Sequence, residues 1–266
     1  MSGRSVRILM PLAVATAVLI SNPAHSQWDS YERMTAESLR AALARSTSAP
    51  AQLTGRNFSN LDLQGLDFRG ANLSSSVFNG AKLMHAKLDR TNLTVSFFEG
   101  ADLSEASLQG AMMFSVQLAG GSLRHANLSG ARLIGDLRRT DLGSADLTRV
   151  NAAADMRNQS MGLMNTRIVN AKAVGADFSN SDFSRADFSF SDLSGARMHR
   201  TQLVRADLSG TTLAGADLTE ANLQDAQIVD TDFSNANLTG ADFTGATFRG
   251  VRGLDTAIKT GARGLP

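Results

Sequence analysis

Six consecutive five-residue units make up residues 216–245, which read ADLTE ANLQD AQIVD TDFSN ANLTG ADFTG. Each unit carries a small residue, then usually Asp or Asn, then a large apolar residue at its centre. Stepping by five, all sixteen centres from Phe58 to Leu133 are large and apolar. From Leu163 to Phe248, seventeen of eighteen centres are Leu, Ile, Phe or Met, with Ala173 as the exception. The chain is therefore an internal repeat of period five.

A period of five fits neither an α-helix, which repeats every 3.6 residues, nor a plain strand, which alternates every two. If the centre and the small residue two before it both face inward, the residue between them faces out. The next two residues must then face outward as well, so the chain turns a corner there. One corner per unit closes a four-sided coil after about twenty residues, and coils stack at roughly 4.8 Å. Phe58, Phe78 and Phe98 recur every twenty residues and are expected to stack on one side.

Residues 56–250 resemble the pentapeptide-repeat family through units such as Ala101-Asp102-Leu103. The resemblance implies an all-β fold, a right-handed quadrilateral β-helix. It implies little about molecular function, because most members of the family have no assigned activity. We place the repeat solenoid at residues 51–250, with an irregular segment near 134–162.

The first 26 residues have the layout of a secretory signal peptide. Arg4 and Arg7 form a basic start, residues 8–20 form an apolar run, and residues 24–26, Ala-His-Ser, form a small-x-small cleavage site. An uncleaved anchor is the alternative, although the run is short for crossing a bilayer. The sequence thus predicts a periplasmic or secreted protein. Removal of this segment would lower the formal net charge from +1 to −1.

Both ends of a solenoid must be covered. We interpret residues 27–50 as an N-terminal helical cap and linker, with a helix over 29–45 whose Asp29 and Glu32 resemble a capping box. A helix that binds a partner is the alternative. Residues 251–266 leave the period and are expected to form a C-terminal cap and tail. The apolar stripe of the predicted helix comprises Met34, Leu39 and Leu43.

The repeat loses register between Leu133 and Leu163. The next three centres, up to Leu147, come one residue early, and residues 148–162 contain no clean repeat. We expect a bulge, loop or kink there rather than a domain boundary. Loops that interrupt a rigid scaffold often carry function, and a tolerated insertion is the alternative.

The composition excludes several classes of site. The absence of cysteine excludes disulfides, thiolate metal sites and a cysteine nucleophile. The sequence contains no HExxH motif and no glycine-rich phosphate loop. Its near-zero net charge gives no global basic field for nucleic acid. We therefore predict a protein that is not an enzyme, takes no cofactor and binds no nucleic acid.

Three side chains suggest a weak metal hypothesis, since each follows a centre by two residues and they lie twenty apart. Four units per coil would stack them in one outward column, with the two histidines about 10 Å apart. They would bind a metal only if both imidazoles bent inward, and coincidence is the alternative reading. The three residues are His85, Glu105 and His125.

Five outward positions carry apolar side chains where the repeat expects polar ones. Contiguous exposed apolar surface often marks an interaction site, so these residues form a partner-binding hypothesis. The alternatives are scattered surface hydrophobes or cover by the N-terminal segment. The five residues are Val77, Phe97, Met112, Phe114 and Ile134.

Residues 131–172 carry a formal charge of +3, whereas residues 173–250 carry −6. The acidic stretch reflects the Asp that precedes many centres. The basic stretch is not explained by the repeat, and we hypothesise that it binds an anionic surface of the envelope; simple solvation is the alternative. Its arginines are Arg132, Arg138, Arg139, Arg149, Arg157 and Arg167.

These observations together predict a non-enzymatic, exported repeat scaffold that binds a protein or another envelope component. The alternative is a DNA-mimicking topoisomerase-binding protein, a role known within the resembled family. The predicted signal peptide and the near-zero net charge argue against that alternative. The identity of any partner, and a homodimer through an exposed end or apolar face, stay open.

Overall fold

The computed structural model describes residues 28, 30–45, 50–154 and 165–266. Pairing between residues twenty apart dominates it: Asp62 pairs in parallel with Lys82, and Asp67 pairs with Lys87. A new pairing ladder begins every five residues, so each coil has four short sides. The prediction of a four-sided coil of about twenty residues is confirmed. We number the sides by their first pairs: side 1 from Asn57–Val77, side 2 from Asp62–Lys82, side 3 from Asp67–Lys87, and side 4 from Gln52–Asn72.

Regular elements are short because each side holds only a few extended residues. The single described helix, α1, spans Ala36–Arg45. The longer strands form three parallel pairs, in which β1 joins β2, β3 joins β4, and β5 joins β6. Their bounds are β1 Glu32–Arg33, β2 Arg56–Asn57, β3 Met112–Gln117, β4 Arg132–Asp136, β5 Gln227–Val229 and β6 Thr247–Arg249. No described helix has the length and hydropathy of a membrane span.

The five-residue unit works as its pattern predicts. In the unit Ala101-Asp102-Leu103, Ala101 and Leu103 are buried in the core. The Oδ1 atom of Asp102 accepts a hydrogen bond of 3.0 Å from the Ser104 backbone N–H, which explains why Asp or Asn recurs before each centre. The corner residue that follows, Glu105, has a φ of 59°. The same left-handed conformation recurs at corners throughout the solenoid, often at glycine.

Most buried hydroxyls inside the solenoid donate to a backbone carbonyl of the coil before them, and that of Thr91 donates to the Leu88 carbonyl of its own coil at 2.6 Å. The hydroxyl of Ser96 donates to the Leu73 carbonyl at 2.8 Å, and that of Thr211 donates to the Phe188 carbonyl at 3.0 Å. Among the described residues, no buried side-chain nitrogen or oxygen lacks a hydrogen-bond partner. Ser and Thr can therefore replace Ala at the small position without a desolvation penalty.

The predicted aromatic stack is present on side 1. The ring centroids of Phe58 and Phe78 lie 4.7 Å apart, and those of Phe78 and Phe98 lie 4.6 Å apart. All three side chains are fully buried. Ala173, the exception to the apolar pattern, is also fully buried and occupies its expected core position.

The predicted break in register has two separate causes. One coil is a residue short, because Ser122 pairs with Asp141, nineteen residues later. The missing residue produces a bulge in β3 opposite Gly135, between Phe114 and Val116. The following coil is long, since Asp136 pairs with Arg167, thirty-one residues later. The extra chain includes residues 155–164, and the proposed centre at Leu163 lies outside the described residues.

The helix prediction needs correction at its start. Residues Glu32–Arg33 form β1, which pairs with β2, and the helix begins only at Ala36. Thr35 caps it, because its Oγ1 accepts from the Ser38 backbone N–H and its own N–H donates to Ser38 Oγ, both at 3.1 Å. The Thr-x-x-Ser arrangement therefore takes the place assigned to Asp29 and Glu32, and Asp29 lies outside the described residues.

The pairing of coils continues beyond residue 250. Arg252, Ile258 and Arg263 pair with residues of the preceding coil. The chain divides into two units, residues 1–30 and residues 31–266, and the whole solenoid belongs to the second. Of the first unit, which contains the predicted signal peptide, only Trp28 and Ser30 are described.

Candidate functional site

The five predicted apolar residues divide into buried and accessible ones. Val77 and Ile134 are fully buried, so the expectation that they form a binding surface was wrong. Val77 stands in the side 1 ladder between Asn57 and the larger Phe97. Ile134 lies in β4 at the short coil, immediately before Gly135, where the register with β3 shifts. Met112 is 53% exposed, and Phe97 and Phe114 are half-buried.

The accessible residues share the corner between sides 4 and 1. The Val95 backbone N–H donates to the Phe114 carbonyl at 2.8 Å, and the Leu93 N–H donates to the Met112 carbonyl, also at 2.8 Å. Residues 93–95 therefore lie directly beside residues 112–114 in the next coil. Val95, which the sequence reasoning missed, is 39% exposed. We call Val95, Phe97, Met112 and Phe114 the apolar edge.

Val95 has a second unusual property. Its φ of 59° places a β-branched residue in the left-handed region, which favours Gly and Asn. Its position two residues after a centre could have signalled this in the sequence. An exposed β-branched side chain is thus held at one of the left-handed corners that recur throughout the solenoid.

The structure separates the predicted basic residues. Arg138 and Arg139 occupy the corner after side 1, and Arg167 lies in the adjacent coil of side 1. Arg132 lies on side 4, where its Nη1 donates to the Asn151 carbonyl at 3.2 Å. Arg149 occupies the corner between sides 3 and 4, and Arg157 lies outside the described residues. A single surface formed by all six arginines is therefore excluded, because three of the five described ones share a region and two face elsewhere.

Asp136 partly neutralises the arginines near side 1. Burial raises the pKa of Asp136, but hydrogen bonds from the Arg138 side chain and backbone outweigh burial and hold this pKa below its ordinary value. The Arg138 Nε lies 2.8 Å from both carboxylate oxygens of Asp136. Arg139, by contrast, has no ion-pair partner within the described part of the chain.

The three candidate metal ligands, His85, Glu105 and His125, do occupy equivalent corners in successive coils. Their φ values are 57°, 59° and 55°. Nδ1 of His85 lies 3.4 Å from Oε2 of Glu105. Within the described ranges, no group of three or more His, Cys, Asp or Glu side chains is placed to hold a metal ion. The metal hypothesis is therefore corrected, because His85 and His125 belong to coils two steps apart along the solenoid.

Comparison with known proteins places this arrangement in a family. A profile described as Pentapeptide repeats matches eight copies, over residues 51–90, 81–116, 113–153, 163–200, 201–240 and 216–252. Among curated proteins no match was found.

The solved structures similar to this chain include other pentapeptide repeat proteins. HetL of Nostoc sp. strain PCC 7120, involved in regulating heterocyst differentiation, is 27% identical over 84% of this chain and 96% of its own, with a TM-score of 0.48. A pentapeptide repeat protein of the Arabidopsis thaliana thylakoid lumen is 28% identical over 32% of this chain and 59% of its own, with a TM-score of 0.32. QnrB1, a plasmid-mediated fluoroquinolone resistance protein, is 19% identical over 76% of this chain and 88% of its own, with a TM-score of 0.37.

The family assignment rests on the profile, which covers more than half of the chain. Proteins of this family form right-handed quadrilateral β-helices, in agreement with the four-sided pairing described above. The chain belongs to the pentapeptide repeat family.

Proposed function

We propose that this protein is exported and acts, without enzymatic activity, as a rigid scaffold that binds a protein partner in the periplasm or cell envelope. The apolar edge is the observation that carries the proposal. It combines Met112, 53% exposed, with the strained and partly exposed Val95 and two half-buried phenylalanines. Elsewhere the repeat commits its polar groups to the fold, through Asx bonds such as Asp102–Ser104 and hydroxyl bonds such as Ser96–Leu73.

Rigidity supports a binding role for this edge. Phe114 and Met112 belong to β3, which pairs with β4 over five residue pairs. Strand pairing already fixes the backbone that carries these side chains, so a partner that binds here does not have to order a flexible loop, and more of the contact energy contributes to affinity. Export is supported by the sequence of residues 1–26 alone.

The helix α1 is proposed to cover the first coil of the solenoid. Leu39 is fully buried and belongs to the same apolar core as the repeat centres, and Met34 and Leu43 pack against that core. The Met34 backbone N–H donates to the Asn57 carbonyl at 3.1 Å. An apolar end of a solenoid would otherwise face water.

The alternative role, binding a topoisomerase as a DNA mimic, gains no support from the described surface. A DNA mimic needs a continuous acidic field, whereas arginines interrupt the acidic columns of residues 173–250 and form ion pairs with three of the eleven acidic side chains. Asp177 pairs with Arg197 at 2.9 Å, and Glu220 pairs with Arg200 at 2.7 Å. Cell fractionation tests this alternative, since a cytosolic protein that protects gyrase would overturn the proposed role.

Photo-crosslinking tests the proposed function directly. We would place a benzoylphenylalanine at position 114 of the full-length protein in its own host, and at Ser104 as a control on the corner between sides 2 and 3. Envelope-protein adducts at position 114 that are absent at position 104 are the expected result. Equal adducts at both positions, or none at either, would remove the apolar edge as a binding site.

A further inference from the structure

A polar cleft lies at the corner between sides 1 and 2, one corner along the coil from the apolar edge. It has a volume of about 500 Å³ and extends from Gly100 to Lys172. Ligand sites commonly have volumes of about 300–1,000 Å³. A neighbouring cavity of about 420 Å³ shares Gly100 and Asp102 with it, so the depression continues along the solenoid axis.

Missing side chains create the cleft. Gly100 and Gly120 occupy successive corner positions, and a Cβ added to either would meet nothing within 4 Å. Gly121 replaces the usual Ala at the small position, and its added Cβ would lie 2.9 Å from the Ala101 carbonyl oxygen. The next two coils carry Arg139 and Asn170 at the same corner, so the open floor ends against long polar side chains.

The two ends of the cleft carry opposite charge. Arg139 and Lys172 lie at one end, and neither forms an ion pair with any described residue. Lys172 has a carboxylate on either side of it in the side 2 ladder: Asp141 is paired with Arg124 at 3.3 Å, and Asp192 accepts hydrogen bonds from the Ser194 backbone N–H and hydroxyl. Toward the other end, Asp102 accepts the Ser104 N–H but forms no ion pair within the described residues.

The pairing register sets the distance between these charges. Asp102, Ser122, Asp141 and Lys172 are consecutive members of the side 2 ladder. Three steps of roughly 4.8 Å separate the first from the last, or about 14 Å, and two steps reach the coil of Arg139, about 10 Å. An extended chain spans about 3.3–3.6 Å per residue. Three or four residues therefore match the separation.

We propose that this cleft binds a short extended peptide whose free carboxylate lies at Arg139 and Lys172 and whose ammonium group lies at Asp102. The guanidinium of Arg139 is suited to a carboxylate, which it can hold through two parallel hydrogen bonds. The glycine floor lets the peptide backbone approach closely. This site goes beyond the proposed function, because it takes a different ligand at a different corner.

Calorimetric titration of the full-length chain with the tripeptide Ala-Ala-Ala tests the proposal. The matched variants are Arg139→Asn and Arg149→Asn, since both arginines occupy left-handed corners with φ of 57° and 56° and Asn accepts that conformation. We expect Arg139→Asn to weaken binding about tenfold or more, the effect of losing a hydrogen-bonded contact to a charged group, and Arg149→Asn to leave it unchanged. Amidation of the tripeptide should weaken binding to the unmodified chain more than Arg139→Asn does, because it removes the contacts to both Arg139 and Lys172, and it should cost less in Arg139→Asn, where only the Lys172 contact is left to lose.

The ammonium end has its own control. Asp102→Asn retains an acceptor for the Ser104 N–H and should weaken binding of the free tripeptide but not of its N-acetylated form. Equal affinity for free and amidated tripeptides, equal loss in the Arg139 and Arg149 variants, or no heat at millimolar tripeptide would overturn the proposal. Each of these results would leave the crosslinking test of the apolar edge unaffected, so the two proposals fail separately.

Discussion

The aromatic stack on side 1 allows a quantitative test of how the coils hold together. Phe78 is fully buried and lies between Phe58 and Phe98, with ring centroids 4.7 and 4.6 Å away. An aromatic pair contributes about 0.5–1.5 kcal/mol beyond its buried area. Replacing Phe78 by Leu removes two such pairs while keeping an apolar side chain. We therefore expect a loss of about 1–3 kcal/mol beyond the cost of the size change.

Phe68→Leu provides the matched control. Phe68 is also buried, 1% exposed, and has no ring partner among the described residues. Its substitution should cost only the size change at a buried core position, about 1–2 kcal/mol. Urea unfolding followed by circular dichroism gives the free energy of unfolding of each variant. The two values can be compared directly if the m-values are equal. If the two variants lose the same stability within about 0.5 kcal/mol, the stacked rings contribute nothing beyond burial and the reasoning fails.

Two further predictions concern the short coil. A Cβ added at Gly135 would overlap the Val116 carbonyl, so Gly135→Ala should destabilise the fold by more than about 2 kcal/mol. Gly215→Ala, where a Cβ has open space, should cost only the left-handed conformation of an L-residue, about 1–2 kcal/mol. Similar unfolding midpoints would contradict the bulge geometry. The lowered pKa of Asp136 means that its contribution to stability is complete above its ordinary pKa of 3.8 and is lost as the pH falls through the lower folded value. Asp136→Asn should therefore have a lower free energy of unfolding than the unmodified protein at pH 7, and this difference should disappear as the pH falls below about 3.8. A difference that does not change with pH would refute the role of the Arg138 contact.

Much of the fold follows from the sequence because each unit specifies its own local geometry. Leu103 must face inward, Ala101 fits the narrow space near the corner, and Asp102 caps the turn through Ser104. The start of α1 was less predictable, since Asp29 with Glu32 and Thr35 with Ser38 both offer capping side chains. Pairing of β1 with β2 decides between them, and that contact joins residues more than twenty apart.

The candidate sites depended more on tertiary structure. The five-residue pattern assigned Val77 and Ile134 to outward positions and so predicted that they would be accessible, yet both are buried. Their exposure depends on the neighbouring coils and, for Ile134, on the bulge opposite Gly135. The five described arginines of the basic stretch are close in sequence but lie on different sides and corners, since a four-sided coil turns a corner every five residues.

The sequence by itself determined the period, the four-sided coil, the inward residues and the aromatic stack. These features follow from local rules that repeat in each unit. Only the tertiary structure decided which surface residues meet. The short coil and the long coil shift the columns relative to simple counting, so Asp141 rather than residue 142 follows Ser122 on side 2. The cleft, with Arg139 and Asp102 at its two ends, exists because residues from consecutive coils with no sequence signal in common are stacked beside one another.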